Sequence, residues 1–371
     1  MRTAFAIIAD DLTGGCDAGA LFAGPGPVPF TIWPRTISAA AVQVIDTESR
    51  ALDGREAADR VRSAAARVAA AHVFKKIDST LRGRIGAETE AVMAAGGLST
   101  ALLCPAFPAQ GRVVADRVLT VHGTPVSSTA VAGDPEFPAT APLTRRRGPD
   151  VTELLRSQFA RPLAWIPLDG VRAQPESLRD RLARLAGSVV LAEAETDADL
   201  DALVDAALTA ETVPLLVGSA GLAGALARRW GLLAPCAPLP RTQRILIVAG
   251  SRHPVTRCQV AAARAARLSV ITTPKADCGD RAAVARNLAA EARRRIEAGG
   301  VDFVVATGGE TAVALFESLG AERIDLVGAP RPGLALGDFC IPGRAALPVL
   351  TKAGGFGDDD LFVSLATEAT R

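Results

Sequence analysis

Short, continuous apolar runs alternate along this chain with longer segments of Ala, Leu and Arg at helical spacing. AFAII (4–8), AVQVID (41–46), HVFKKID (72–78) and TALLCPAF (100–107, ended by prolines) read as buried strands. SVVLAEA (188–194), VPLLVGS (213–219), RILIVAGS (244–251), LSVITT (268–273) and VDFVVATGG (301–309) continue the series. Between them, REAADRVRSAAARVAAA (55–71) has the pattern of an amphipathic helix, and GAETEAVMAA (86–95) predicts another. Val/Ile/Leu runs separated by helices predict parallel strands buried on both faces, hence a doubly wound α/β class.

At 371 residues, and with roughly 150 residues per domain, two domains are expected. WGLLAPCAPLPRTQ (230–243) holds three prolines and no periodicity, and reads as the linker. It divides the chain into an N-terminal domain, 1–235, and a C-terminal one, 244–371. GDPEFPATAPLTRRRGP (133–149) reads as an extended Pro-rich loop; its Arg triplet is a solvated charge run or, alternatively, an anion site. No repeat of about 20 to 50 residues is apparent, which argues against a solenoid.

Composition narrows the partners. The formal net charge is +1, so no global field recruits nucleic acid or an acidic membrane. Tyr is absent and aromatics make up 4%, which argues against a base-stacking platform. No run of about 18 apolar residues predicts a membrane span. MRTAFAIIADD is too short for a signal-peptide core, and a cytoplasmic protein is expected. Cys16, Cys104, Cys236, Cys258, Cys278 and Cys340 fit no zinc framework and read as reduced thiols. His72, His122 and His253 are too scattered for a metal motif, so no metal ligands are assigned. A homodimer is expected only because most soluble oligomers are two-fold dimers.

Four places share one grammar of strand, small or Gly-rich turn, then helix: IIADD-LTGG, LLVGSAG, LIVAGS-RHP and VVATGGET. In open α/β sheets ligands bind beyond the carboxyl ends of the strands, and helix N-termini suit phosphate or carboxylate. One such turn only shapes a loop; several, with polar residues, point to phosphate handling. In IADDLTGGCDAGALFA (8–23), Asp10 and Asp11 end an apolar strand, where burial strips an ionised carboxylate of hydration. A cation, a donor-rich ligand or open water must offset that cost. In KKIDSTLRGRIGAETEA (75–91), Lys76 and Asp78 point to the same face of the strand, and Ser79, Arg82 and the Gly83 backbone follow at the turn. Lys and Arg suit a carboxylate, while Asp and Ser suit hydroxyls. The plainer alternative is a Lys76–Asp78 ion pair with Arg82 solvated. TGGET (307–311) can grip a phosphate, although Glu310 also suits a helix start. TKAGGFGDDDLF (351–362) offers a flexible glycine loop with Lys352; its Asp triplet is expected to cap the last helix rather than hold Mg²⁺. No Walker P-loop, dinucleotide GxGxxG, GxSxG elbow or protein-kinase motif set is present.

These motifs resemble those of the four-carbon acid sugar kinases. The matching stretches are IADDLTGGCDAG (8–19), KKIDSTLRGRIGAE (75–88), CPAFPAQGR (104–112), VGSAGLA (217–223), VAGSRHPVT (248–256), ATGGET (306–311) and TKAGGFG (351–357), in order over nearly the whole chain. The resemblance implies two α/β domains with an active-site cleft between them, sugar acid on the first and ATP on the second. It implies phosphorylation of threonate, erythronate or 3-oxo-tetronate at the terminal hydroxyl. By position, Asp11, Lys76, Asp78, Ser79 and Arg82 match the sugar-acid side, and Ser251, Gly308, Gly309, Glu310, Thr311, Gly354 and Gly357 the nucleotide side. PGLALG (332–337) lacks a Trp that the family often carries, and HGTPVSST (122–129) lacks an acidic residue near its end.

Together these readings put Lys76 and Arg82 on the substrate carboxylate, with Thr13 and Gly83 beside them. Asp11 and Asp78 are alternatives for accepting the hydroxyl proton. Asp10 is expected to bond backbone N–H groups. Asp17 is either a substrate contact or a helix-start charge. Lys352 and Gly355 join the phosphate loop, and Mg²⁺ bridges the ATP phosphates. Two other classes share such a cleft, a non-catalytic sugar-acid sensor and an oxidoreductase. The two nucleotide loops count against the first, and the missing dinucleotide fingerprint against the second.

Overall fold

The computed structural model describes residues 3–35, 40–68, 70–138, 148–274 and 280–371. Cys278 and the Arg triplet 145–147 lie outside the described residues. The chain begins with β1 (Thr3–Ala9), α1 (Leu12–Ala20), β2 (Val28–Ile32), β3 (Val42–Asp46), α2 (Gly54–Arg67), β4 (Ala70–Lys76), α3 (Ile85–Gly96) and β5 (Ala101–Cys104). A small excursion of β6 (Arg112–Ala115), β7 (Val118–Val121) and β8 (Thr124–Pro125) follows. Then come α4 (Val151–Arg156), β9 (Leu163–Ile166), α5 (Leu168–Val171), α6 (Pro175–Arg184), β10 (Val189–Ala192), α7 (Asp197–Leu208), β11 (Leu215–Gly218) and α8 (Ala220–Arg229). The remainder is β12 (Ile245–Ala249), α9 (Pro254–Ala265), β13 (Ser269–Thr272), α10 (Arg281–Glu297), β14 (Phe303–Thr307), α11 (Gly309–Ser318), β15 (Arg323–Gly328), β16 (Leu334–Cys340), β17 (Leu347–Lys352) and α12 (Leu361–Ala369).

The α/β expectation holds. Every apolar run singled out in the sequence forms a strand, and each of these pairs in parallel with its neighbours. The sheet has 14 strands in the order β13-β12-β14-β17-β16-β15-β2-β3-β1-β4-β11-β5-β10-β9. Within this sheet, antiparallel pairing among the described residues is confined to β17-β16, β16-β15 and β15-β2. That last pair joins the two halves of the chain edge to edge, with Ile324 opposite Phe30 and Leu326 opposite Val28. β2, β9, β15 and β16 escaped the apolar-run criterion because they are short, carry Pro29, alternate in burial, or include Gly337 and Asp338. The helix expected over 55–71 ends at Arg67 instead. Ala70 and His72 pair with Thr3 and Phe5 of β1, so sheet pairing overrides the helix propensity of the alanines.

The segment 230–243 forms neither helix nor strand, and it is tied to both halves. Gly24 N–H bonds the Leu232 carbonyl and Ala234 N–H that of Leu21; Ala237 N–H and Thr242 N–H bond the Ala329 and Ala369 carbonyls. Helix α1 lies over the seam, packing on β1, β2 and β3 and also on β15, β16 and β17. It fits there because its facing residues are small. A Cβ on Gly15 would stand 2.8 Å from the Phe30 ring, and one on Gly19 would collide with Val44 and stand 2.7 Å from Leu326 Cδ1. Gly19→Val is therefore expected to cost ~2 kcal/mol by overpacking the seam, read as a lower denaturation midpoint in urea.

Candidate active site

The carboxyl ends of β1, β3 and β4 and those of β12, β14 and β17 open onto one cleft of about 450 Å³. Its first wall carries Asp10, Asp11, Arg50, Asp78, Ser79 and Arg82; the opposite wall carries Ser251, Gly308, Gly309, Thr311, Gly354 and Gly355. This is the position that parallel α/β topology assigns to a ligand.

The paired carboxylates are matched by Arg50, which follows β3. Its Nε donates to Asp10 Oδ2 at 2.7 Å, its Nη2 to Asp10 Oδ1 at 3.0 Å, and Nη2 also reaches Asp11 Oδ1. Burial would raise the Asp10 pKa, but Arg50, backed by Lys75, outweighs it and holds the carboxyl below its ordinary value. The expectation that Asp10 bonds backbone N–H groups is thus corrected: its side chain takes a guanidinium, while its main-chain carbonyl accepts Ser49 and Arg50 N–H. A dry polar network lies beneath. Lys75 Nζ meets Glu88 Oε2 at 2.7 Å, Ser49 Oγ donates to Glu88 Oε1 at 2.8 Å, and Thr47 Oγ1 donates to the Ala9 carbonyl at 2.7 Å.

Asp11 caps α1. Its Oδ1 accepts Gly14 N–H at 3.1 Å and its Oδ2 accepts the Thr13 hydroxyl at 2.7 Å. Across the cleft, a Cβ on Gly309 would stand 3.2 Å from the same Oδ2, so Asp11 faces the turn that opens α11. Asp78 is differently placed. Its Oδ2 accepts Arg82 Nε at 3.0 Å and the Thr80 hydroxyl, and its Oδ1 accepts Arg82 Nη2 at 2.9 Å. Burial again pushes its pKa up, and Arg82 and Arg50 reverse that to well below the carboxylate range. Asp17, inside α1, is raised to about 6 by burial, against the pull of Lys76 and Arg112. A further carboxylate pair went unnoticed in the sequence. Glu48 lines the cleft with φ at +44°, and its N–H donates to Asp46 Oδ1 at 2.9 Å. Asp46 is fully buried, and burial followed by the Glu48 charge drives its pKa well up.

On the opposite wall, Gly308 has φ +99° just before α11, and a Cβ there would stand 3.0 Å from Ser251 N. Only glycine adopts that backbone cheaply. Glu310 lies in the first turn of α11, as its sequence position suggested. The loop after β17 has its carbonyls pulled inward. Lys352 Nζ donates to those of Ala353 (2.9 Å), Gly354 (3.1 Å) and Phe356 (2.9 Å); Gln259 Nε2 takes those of Phe356, Gly357 and Asp358; Thr256 Oγ1 takes that of Gly354. Gly354 and Gly355 line the cleft, and among the described residues their N–H groups have no protein acceptor.

The structure brings Asp10, Asp11, Thr13, Asp78, Ser79 and Arg82 together with Ser251, Gly308, Gly309, Glu310, Thr311, Gly354 and Gly355. Lys76, Gly83, Lys352 and Gly357 do not line the cleft. β4 stops at Lys76, so Lys76 and Asp78 do not share a strand face; Lys76 Nζ turns inward to the Ile77 carbonyl at 2.8 Å. No ion pair joins Lys76 to Asp78; Asp78 takes Arg82 instead. Asp360 stands at the N-cap of α12, but its side chain makes no capping bond. Arg50, Glu48 and Arg112 are among the cleft residues the motifs did not announce as ligands. The one available signal was the polar cluster TESR directly after AVQVID.

The fold and the two walls define an α/β protein with a ligand cleft between its N-terminal and C-terminal parts. Residues 5–226 match the model of a sugar-binding N-terminal domain, and 271–362 that of a nucleotide-binding C-terminal domain. The chain belongs to the four-carbon acid sugar kinase family. It is 33% identical to a D-threonate kinase of Bordetella bronchiseptica, over 97% of this chain and 96% of that one. It is 32% identical to a D-erythronate kinase of Heliobacterium modesticaldum, over 72% of this chain and 62% of that one. A crystal structure of a Haemophilus influenzae protein of the DUF1537 family superposes with a TM-score of 0.72 at 19% identity, covering 99% of this chain and 100% of that one, and shares the fold.

Burial pushes the Lys352 pKa down from 10.5 to about 7. Between those values the unfolded chain binds the extra proton, so this group makes stability fall as pH drops from 10.5 to about 7 and level off below that. Urea denaturation at pH 7 and pH 9 is expected to show a larger gain for the wild type than for Lys352→Met.

Proposed function

We propose that this protein transfers the γ-phosphoryl group of ATP to the terminal hydroxyl of a four-carbon sugar acid, with threonate, erythronate and 3-oxo-tetronate as candidate substrates. The observation that carries the reading is Asp11, a carboxylate of the sugar-acid wall that stands against Gly309 of the nucleotide wall. In this reading 1–235 binds the acid and 244–371 the nucleotide. The ATP phosphates rest on the α11 N-terminus and on the Gly354–Gly355 amides. The substrate oxygen attacks the γ-phosphorus, the bond to ADP breaks, and the hydroxyl proton passes to Asp11. Asp78 is the weaker candidate base, because the Arg82 guanidinium takes both its oxygens and, with Arg50, holds its carboxyl well below the usual carboxylate range. It holds Arg82 in place beside Ser79.

Among the described residues no group of three or more His, Cys, Asp or Glu could hold a metal ion. That fits a Mg²⁺ that arrives on the ATP phosphates and supplies charge neutralisation there. Among the described residues no helix is long and apolar enough to cross a membrane, and the five described cysteines are free thiols. Both are in keeping with a cytoplasmic enzyme.

The test is ADP release with Mg²⁺–ATP and a panel of D- and L-threonate, D- and L-erythronate and 3-oxo-tetronate. Turnover with at least one member is expected; substrate-independent ADP release alone would defeat the reading. Asp11→Asn is expected to lower kcat by ~10²–10⁴-fold, and wild-type turnover in that variant would remove Asp11 from the base role.

A further inference from the structure

Three guanidinium groups reach the cleft from the N-terminal half, and two are already matched. Arg50 is held by Asp10 and Asp11, and Arg82 by Asp78 and, at 3.4 Å, by Asp134. Arg112 is not. It is 4% exposed, and among the described residues no carboxylate lies within ion-pair distance of it. Its Nη1 donates to the Gln110 carbonyl, and its Nε is buried with no hydrogen-bond partner. One face of the group lies over the Phe356 ring, with Cζ 4.3 Å from the centroid. Burial without a counter-ion brings its pKa down to about 10. A desolvated, unmatched cation is costly to keep, and it is stabilised when an anion completes the site.

We propose that Arg112 anchors the carboxylate of the sugar acid, and that this contact makes the enzyme select an acid over the corresponding polyol. The proposal rests on the function proposed above. Its geometry follows from the length of the substrate. The terminal hydroxyl has to lie where Asp11 meets Gly309, so the carboxylate lies at the other end of a four-carbon chain. Arg112 lies within reach of the fields of Asp78 and Asp17, at the far side of the sugar-acid wall. Its planar fork is suited to grip both oxygens of a carboxylate. Phe356 and the Gln110–Pro332 contact, with Gln110 Nε2 2.6 Å from the Pro332 carbonyl, pin this anchor against the nucleotide half. CPAFPAQGR, a motif without a role in the reaction as drawn above, gains one as the arm that delivers Arg112.

The experiment is steady-state ADP release by wild type, Arg112→Lys and Arg112→Gln, with the best acid of the panel and with erythritol and threitol. In R112Q the KM for the acid is expected to rise ~100-fold, the loss of one charge-assisted contact. The KM for ATP and the kcat at saturating acid stay within ~3-fold, a change too small to represent a lost contact. R112K recovers part of the loss, which shows that the charge and not merely the packing on Phe356 is at work. The wild-type preference for acid over tetritol shrinks by the same factor in R112Q, and where tetritol turnover is undetectable the KM split alone decides. An unchanged KM for the acid, a raised KM for ATP, or equal losses on acid and tetritol would overturn the proposal. A wild type inactive on every acid would instead defeat the function proposed above, and this proposal with it.

Discussion

Two adjacent carboxylates at the end of a buried strand require a cation, and Arg50 is that cation. The requirement organises the whole floor of the cleft. Arg50 follows β3, the neighbour of β1, so the ion pair is set by parallel pairing of two largely apolar strands. Beneath it Lys75 of β4 and Glu88 of α3 form a second dry pair, joined through Ser49 to the same turn. Buried pairs of this kind add little net stability, yet losing one partner strands the other at a cost of several kcal/mol. Their value here is positional. Once Arg50 satisfies Asp10 and one oxygen of Asp11, the second Asp11 oxygen is left facing the Gly309 turn.

The second wall is held opposite the first by the sheet itself. β2 and β15 pair antiparallel, so one continuous sheet carries both halves and their carboxyl ends open on the same cleft. Helix α1 runs over that seam with glycines turned to the sheet, which brings its capped N-terminus close to α11. Register in the seam pair thus sets the separation between Asp11 and Gly309. A slip of the seam would misalign the walls even with every local element intact.

The class of fold was legible because parallel strands buried on both faces cannot avoid long Val/Ile/Leu runs. β15 was not legible for the opposite reason: it is half-buried, and RIDLVG alternates instead of running apolar. Glycine turns at 308–309 and 354–355 were readable as cleft residues, since strand-turn-helix grammar places them at carboxyl ends. Arg50 was not, because a lone Arg in a loop has no periodicity, and only the fold brings it to Asp10. The pairing within KKIDSTLRG was misread at one residue. Extending the strand from Lys76 to Asp78 puts both on one face, whereas the strand stops at Lys76 and frees Asp78 to take Arg82.

The lysines explain why residue type alone misleads at such a site. Lys75 and Lys76 close β4 and Lys352 closes β17, and each turns its ammonium back onto main-chain carbonyls. A carbonyl held inward orients its peptide plane, and the opposite edge of that plane is an N–H. In the 353–358 loop Lys352, Gln259 and Thr256 hold the carbonyls of five residues in this way, leaving the Gly354 and Gly355 amides toward the cleft. The positive end offered to an anion there is the backbone, arranged by a cation that the anion does not touch. In the function proposed above, charge on this wall is delivered to the ATP phosphates through peptide dipoles, which need no desolvation of a flexible side chain.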